Sequence, residues 1–131
     1  MALYYVAHKH GGSYRNVRKA AKITHDLQVK DLANCYICPL VAFSHISYGE
    51  IGFDNEMELC LDVLQNCDKL IVASEISKGV QMEIDFAKLV KMEVVKLEEN
   101  GELRPFTERV GKSYRPVDIQ ETKRPTALCI L

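Results

Sequence analysis

The residues best suited to chemistry stand in three short polar stretches, each of which follows an apolar run of the chain. The first is HKHGGSYRN, starting at His8, and the second is SHISYGEIGF, starting at Ser44. The third is ISKGVQMEID, starting at Ile76, in which Glu83 follows Gly79 by four residues. A glutamate at this place is either a solvated charge near the start of a helix or a group that points into a cleft. Its position alone does not decide between the two.

The first polar stretch offers groups that bind anions. Backbone amides, a hydroxyl, a guanidinium and the start of a helix come together there, and two histidines accompany them. The candidate ligand-binding residues are His8, His10, Gly11, Gly12, Ser13 and Arg15. The spacing matches neither the phosphate-binding loop of nucleotide hydrolases nor the dinucleotide fingerprint. A plain turn, whose glycines only allow a tight bend, is the alternative.

The second and third stretches add fewer candidates. In the second, His45 could hydrogen-bond a base or a sugar, and Tyr48 could stack on one. Asp54 follows directly and is more typical of a helix N-cap than of a ligand contact. In the third, Ser77 is the expected cap of a helix, and Gly79 lets the backbone pass close to a ligand.

Strands and helices alternate along the part of the chain that must position these residues. The apolar runs LYYVAH, CYICPLVAF, KLIVASE and EVVKL predict strands. Helical periodicity predicts helices from Ser13 to about 33, from Asp54 to about 66, and over 77–91. The alternation predicts an α/β fold with a mostly parallel sheet of four or five strands, covered on both faces.

A parallel sheet of this kind binds ligands beyond the carboxyl ends of its strands, where the strand order reverses. The loops that follow the first three predicted strands carry all three polar stretches. We therefore expect one site at one edge of the sheet, built from residues 8–14, 43–54 and 74–80.

Length and charge limit the possible partners. The 131 residues fit one α/β domain at 1–98, followed by a proline-punctuated tail at 99–131. We expect this tail to form a hairpin or arm packed on the domain or on a neighbouring subunit. A formal net charge of −1 argues against a nucleic-acid polymer or an anionic membrane as partner. With no membrane-length apolar run and no signal-peptide pattern, a cytoplasmic location is expected.

The five cysteines are interpreted as reduced thiols. The pair Cys35 and Cys38 has the spacing of a redox or zinc motif, but it lies in a strand-like run that ends at Pro39. The other close pair, Cys60 and Cys67, does not have zinc-ligand spacing. We therefore expect no metal and no cofactor.

Two segments resemble the nucleoside 2-deoxyribosyltransferase family. The run CDKLIVASEISKGVQMEIDFAKLVKMEVV resembles the C-terminal half of that family, with its pattern of an aspartate, an apolar strand, Ser-x-Gly and a glutamate. YYVAHKHGGSYRN looks like the opening strand and glycine loop, and like the loop of deoxynucleoside 5′-monophosphate N-glycosidases. The pattern covers residues 3–97. Small phage-encoded members of unassigned function are the most similar, through Asn16, Pro39 and the run from Leu64 to Asp68.

The resemblance implies a flavodoxin- or Rossmann-like three-layer sandwich and a specific chemistry. The glutamate matching Glu83 would attack the anomeric carbon of a deoxyribosyl group and form a covalent glycosyl–enzyme. The loop from Gly11 to Arg15 would hold the 5′ end of the sugar or its phosphate. A neighbour's tail, through Tyr114 or the carboxylate of Leu131, would complete the site in a homodimer or larger homo-oligomer.

One departure from the family pattern leaves alternatives open. The family's aspartate in the second helix, eight residues before the one matching Asp68, is replaced by Cys60. The chain is therefore either an enzyme acting at the N-glycosidic bond of a nucleoside or its 5′-monophosphate, or a non-catalytic binder of a nucleotide or an NAD-derived signal. A sponge or sensor would be such a binder. A structural protein with an unused cleft is the third possibility.

Overall fold

The computed structural model describes residues 1–46 and 49–107. The described strands are β1 (Leu3–Ala7), β2 (Cys35–Ile37), β3 (Lys69–Val72), β4 (Glu93–Leu97) and β5 (Leu103–Pro105). The described helices are α1 (Tyr14–Lys30), α2 (Pro39–Ala42), α3 (Phe53–Leu64) and α4 (Lys78–Leu89). None of these helices combines the length and apolar character needed to cross a bilayer.

The strands form one sheet in the order β2-β1-β3-β4-β5. Strands β1 to β4 are parallel to their neighbours, and β5 runs antiparallel to β4. The predicted α/β fold with a mostly parallel sheet is therefore confirmed, and the strand order is consistent with a flavodoxin-like fold. Because the chain moves from β1 outward to β2 and then returns to β3 on the other side of β1, the strand order reverses between β1 and β3. The loops after these two strands lie at that switch point.

Neighbouring residues of β1 belong to two different hydrophobic clusters. Tyr5 and Ala7 pack in one cluster with residues of α3 and α4, including Leu61 and Ile84. Val6 packs in the other cluster with residues of α1. The same alternation holds for β3, in which Leu70 and Val72 belong to the first cluster and Ile71 to the second. A parallel strand buried on both sides needs such a run of apolar residues.

Serines begin two of the helices, as predicted. The Ser13 hydroxyl accepts a hydrogen bond from the Arg15 amide at 3.2 Å, and that of Ser77 accepts one from the Val80 amide at 3.2 Å. The prediction that Asp54 caps α3 is wrong. Gly52 is the N-cap, because it directly precedes the first helical residue, Phe53, and its φ of 86° is not a helical value. Asp54 lies in the first helical turn, where a carboxylate complements the helix dipole.

The second predicted strand is much shorter than the sequence led us to expect. It ends at Ile37, and the residues from Pro39 to Ala42 form α2 instead. Proline lacks the amide hydrogen that a sheet ladder needs, whereas its fixed φ suits the first position of a helix. The apolar character of CYICPLVAF therefore indicates that the segment is buried, not that it is extended throughout.

The chain turns back after β4. The Glu98 amide donates to the Glu102 carbonyl at 2.8 Å, and β5 then pairs with β4 through Leu97 and Leu103. The remainder of the predicted arm, 108–131, lies outside the described residues.

The packing of α3 gives a test of the core. Leu64 is fully buried, whereas Leu32, at the end of α1, is 81% exposed. Leu64→Ala is expected to lower the free energy of unfolding by about 2–5 kcal/mol, through lost apolar burial and a cavity. The same substitution at Leu32 should change it by less than about 0.5 kcal/mol. Urea denaturation of both variants measures the difference, and equal losses would contradict the packing described.

Candidate functional site

A cavity of about 830 Å³, called the main cavity below, opens at the carboxyl edge of the sheet. Five segments line it: the end of β1 with the loop after it, the first turn of α1, α2 with the loop after it, the first half of α3, and the first turns of α4. The predicted meeting of the three polar stretches at one place is thus confirmed. It follows from the strand order, which brings the loops after β1 and β3 together.

Glu83 lies in the wall of the main cavity and is only 7% exposed. The interpretation as a solvated surface charge is therefore wrong. The Tyr5 hydroxyl donates a hydrogen bond to Glu83 Oε2. Burial raises the pKa of Glu83 to about 7, and the hydrogen bond from Tyr5 acts in the opposite direction. A carboxyl group with this pKa changes between its charged and neutral forms near neutral pH.

Tyr5 and Cys60 complete the surroundings of this carboxyl group. Burial, and then the charge of Glu83, raise the pKa of Tyr5 well above its usual value, so its hydroxyl remains a donor. Burial and the charge of Glu83 also raise the pKa of the Cys60 thiol to about 12, and its hydrogen bond with Tyr5 opposes that rise. Since the thiolate is the reactive form of cysteine, Cys60 stays an inert, neutral thiol at physiological pH.

The glycine loop is a turn built against the start of α1. Gly11 and Gly12 have φ of 60° and 70°, values that favour glycine. The Asn16 side chain donates to the His10 carbonyl at 2.9 Å and closes the loop. Both glycines line the main cavity, but the exposed Arg15 does not. The loop therefore presents backbone to the cavity, without the guanidinium that the sequence suggested as an anion-binding group.

The other candidate residues divide between those that line the main cavity and those that do not. His8, His10, Asp54, Ser77 and Gly79 line it. Ser13, whose hydroxyl caps α1, and the exposed His45 do not line it. Tyr48 and Tyr114 lie outside the described residues.

Gly79 allows a close approach between two helices. A Cβ atom on this residue would lie 3.3 Å from Met57 Sδ and 3.8 Å from Phe53 Cε1, both on α3. Because Gly79 has no side chain, the first turn of α4 can lie close to α3. The two helices meet in this way in the wall of the main cavity. Gly79 serves helix packing here, in addition to any ligand contact.

Aromatic side chains and a small number of charges give the main cavity its character. Tyr14, Phe43 and Phe53 line it, and the Lys78 ammonium lies 5.0 Å from the centre of the Phe53 ring. Burial lowers the pKa of His8 and of His10, so both imidazoles favour the neutral form. A largely apolar cleft with aromatic walls and a few polar groups suits a planar, mostly uncharged ligand.

Sequence reasoning missed several cavity residues, above all Tyr5. Tyr5 stands inside an apolar strand and looks like an ordinary core residue. A usable signal was available, because a buried tyrosine hydroxyl almost always has a hydrogen-bond partner. Phe53 and Glu56 were missed because the N-cap of their helix was predicted at Asp54, two residues after its actual position at Gly52.

Comparisons with known proteins give no assignment for this site. No protein-family model matches the chain, and no curated protein matches it significantly. Among the described residues, no group of three or more His, Cys, Asp or Glu side chains converges as metal ligands would.

The buried carboxyl group predicts a specific pH dependence of stability. The pKa of Glu83 rises from 4.5 to about 7 on folding, so the folded state retains a proton that the unfolded state releases. The free energy of unfolding therefore falls as pH rises from about 4.5 to about 7, by roughly 3 kcal/mol from this group. Glu83→Gln keeps a hydrogen-bond acceptor for Tyr5 and removes the titration. Relative to wild type, it should gain stability over this pH range.

Urea denaturation of both proteins between pH 4.5 and pH 8 measures this difference. Glu99→Gln, at an exposed position, is the matched control and should follow the wild-type pH profile. Parallel profiles for wild type and Glu83→Gln would contradict the burial of a titrating carboxyl group.

Proposed function

We propose that this protein cleaves or transfers at the N-glycosidic bond of a nucleoside, a deoxynucleoside or the corresponding 5′-monophosphate, with Glu83 as nucleophile. The observation that carries the proposal is the Glu83 carboxyl group in the wall of the main cavity, buried and hydrogen-bonded to Tyr5. The resemblance of residues 67–95 and 4–16 to nucleoside 2-deoxyribosyltransferases supports the same role.

The chemistry follows from what a carboxylate at this place can do. In its ionised form Glu83 attacks the anomeric carbon, the bond from that carbon to the base nitrogen breaks, and the base leaves with the electron pair. The sugar is then held as an ester of Glu83. Water or a second base attacks the same carbon and gives up a proton, which balances the proton that the departing base takes up; the ester bond breaks, and the carboxylate is restored.

Tyr5 suits the role of positioning group for this reaction. Its hydroxyl donates to one oxygen of Glu83, which fixes the carboxylate and leaves the other oxygen for the attack. A pKa of about 7 means that the carboxylate form is available at neutral pH, in an environment that stabilises its charge only weakly. A poorly stabilised anion is a better nucleophile than a well-solvated one.

The aromatic residues of the main cavity suit the base. Tyr14, Phe43 and Phe53 offer ring faces for stacking, while the neutral His8 and His10 can exchange hydrogen bonds with base or sugar. These contacts do not select among bases, so the proposal covers nucleosides as a class.

We further infer a three-layer flavodoxin-like arrangement, supported by the two hydrophobic clusters that share alternate residues of β1 and β3. Homo-oligomerisation through the tail at 99–131, a cytoplasmic location and a phage origin remain predictions from the sequence. Size-exclusion chromatography with light scattering tests the first of these.

A second candidate function is ligand binding without turnover. Cys60 favours it, because this thiol stands beside Tyr5 and Glu83 and stays neutral. A neutral thiol lacks the negative charge of a second carboxylate, so it cannot orient a sugar or a nucleophile as a carboxylate would. In that case the main cavity would bind a nucleotide or an NAD-derived molecule and return it intact.

The enzymatic proposal predicts release of free base. Incubation of wild-type protein with deoxynucleosides and their 5′-monophosphates, followed by chromatography, should show a free base for at least one of them. Glu83→Gln should lower the rate at least 100-fold, because no nucleophile remains, while Glu99→Gln should keep the wild-type rate. Base release by Glu83→Gln at the wild-type rate would overturn the role of Glu83.

The binding alternative predicts a different outcome with the same ligands. A ligand at 100 times its dissociation constant stabilises the folded state by about 2.7 kcal/mol, which a thermal shift reveals. Stabilisation with complete recovery of intact ligand after denaturation would favour the binder over the enzyme. No thermal shift with any nucleoside, nucleotide or dinucleotide would exclude both.

A further inference from the structure

A second, shallower cavity lies at the carboxyl ends of β1, β3 and β4, next to α1. Its volume is about 370 Å³. Three lysines from three separate elements line it: Lys9 after β1, Lys19 on α1 and Lys96 near the end of β4. We call Lys9, Lys19 and Lys96 the lysine cluster. No single stretch of the sequence shows this cluster, because the sheet brings its members together.

The charges of this second cavity do not cancel. Among the residues that the structure describes, Glu75 is the one carboxylate that lines it, and its Oε1 lies 2.9 Å from Lys9 Nζ. Neither Lys19 nor Lys96 forms an ion pair with another described residue. Three lysines and one carboxylate therefore line the second cavity, and the Glu75 side chain is itself 78% exposed.

Part of the wall is fixed before any ligand binds. The Lys9 amide donates to Ser74 Oγ at 2.8 Å, which ties the loop after β1 to the loop after β3. Ser74 Oγ also donates to the Glu75 carbonyl at 2.8 Å. The backbone that carries Lys9 is therefore held in place, so an anion would order the lysine side chains but not the loops.

His8 lines both cavities. The two cavities differ in charge: Asp54, Glu56 and Glu83 line the main cavity with Lys78 as the lysine among its described residues, whereas lysines dominate the second cavity. A ligand with an uncharged aromatic end and an anionic end would match this division. Arg15 does not line the main cavity, so its guanidinium is not placed to bind the anionic end of a ligand there.

We propose that the lysine cluster binds a phosphate group. On the proposed function, on which this step rests, the phosphate belongs to a nucleotide whose nucleoside part occupies the main cavity. Free phosphate is the other source with the same chemistry. Glu75 opposes an anion, and its exposed carboxylate would turn away from Lys9 when phosphate replaces it.

The test compares phosphorylated and unphosphorylated ligands in the Glu83→Gln background, which prevents cleavage. Calorimetric titration at low ionic strength gives the dissociation constants of a deoxynucleoside and of its 5′-monophosphate. The monophosphate should bind more tightly than the nucleoside. Lys9→Gln, Lys19→Gln and Lys96→Gln should each reduce that advantage about two- to fivefold, and should leave nucleoside affinity unchanged.

Two further variants sharpen the comparison. Glu75→Gln removes the opposing carboxylate and should increase the advantage of the monophosphate. Lys22→Gln is the matched control, since Lys22 is an exposed lysine of α1 that pairs with Asp26 and lies outside the second cavity. It should change nothing.

Inorganic phosphate distinguishes the two sources. Amide shifts of Lys9 and Ser74, followed by NMR during a phosphate titration, should move in wild type and less in Lys9→Gln. Movement without any advantage of the monophosphate would identify free phosphate as the ligand. A monophosphate advantage and amide shifts that are both independent of the three lysines would overturn the proposal.

The experiments can contradict the proposed function and the phosphate site independently of each other. Lysine-dependent phosphate binding together with unchanged base release by Glu83→Gln would remove the glycosidic chemistry and keep the phosphate site. Base release that depends on Glu83, with no lysine dependence of binding, would do the reverse.

Discussion

The hydrogen bond between Tyr5 and Glu83 joins β1 to α4 across 78 residues of sequence. It places a carboxyl group in a wall otherwise made largely of apolar side chains, where its charged form is costly. Among the described residues, only the hydroxyl of Tyr5 stabilises the charged form of Glu83 through a hydrogen bond. Burial of this carboxyl group raises the pKa of Glu83, and the charge of Glu83 adds to the burial that raises the pKa of Cys60.

The strand order makes the contact possible. Because β3 returns to lie beside β1, helix α4, which follows β3, brings Glu83 in its second turn to Tyr5 of β1. Ser77 starts the helix at the right residue, and Gly79 lets it approach α3. A later start would move Glu83 by about 100° around the helix for each residue, away from the cavity.

The same edge of the sheet divides into two electrical environments. On one side of His8, burial favours neutral groups, and the walls are aromatic. On the other side, the lysine cluster surrounds a shallow depression, with Lys19 and Lys96 at exposed positions and Lys9 half-buried. A fold that binds a nucleotide gains from this division, because the base and the phosphate need opposite surroundings.

Several parts of this account were predictable from the sequence, for identifiable reasons. Apolar runs and serine caps gave the strands β1, β3 and β4 and the starts of α1 and α4, since both signals act locally. The second strand was predicted to continue past Pro39 because an apolar run looks the same in a strand and in a short buried helix. The lysine cluster and the pairing of Tyr5 with Glu83 could not be predicted, because the residues involved come from distant parts of the chain and only the sheet order brings them together.

The proposed reaction forms a covalent bond between Glu83 and the sugar. To test it, wild-type protein is mixed with the deoxynucleoside or monophosphate that releases base, quenched in acid, digested and analysed by peptide mass spectrometry. We expect an added deoxyribosyl group on the peptide containing residues 76–89, located at Glu83 and absent from Glu83→Gln. Base release with an adduct on another residue, or intact ligand with no adduct at all, would contradict it.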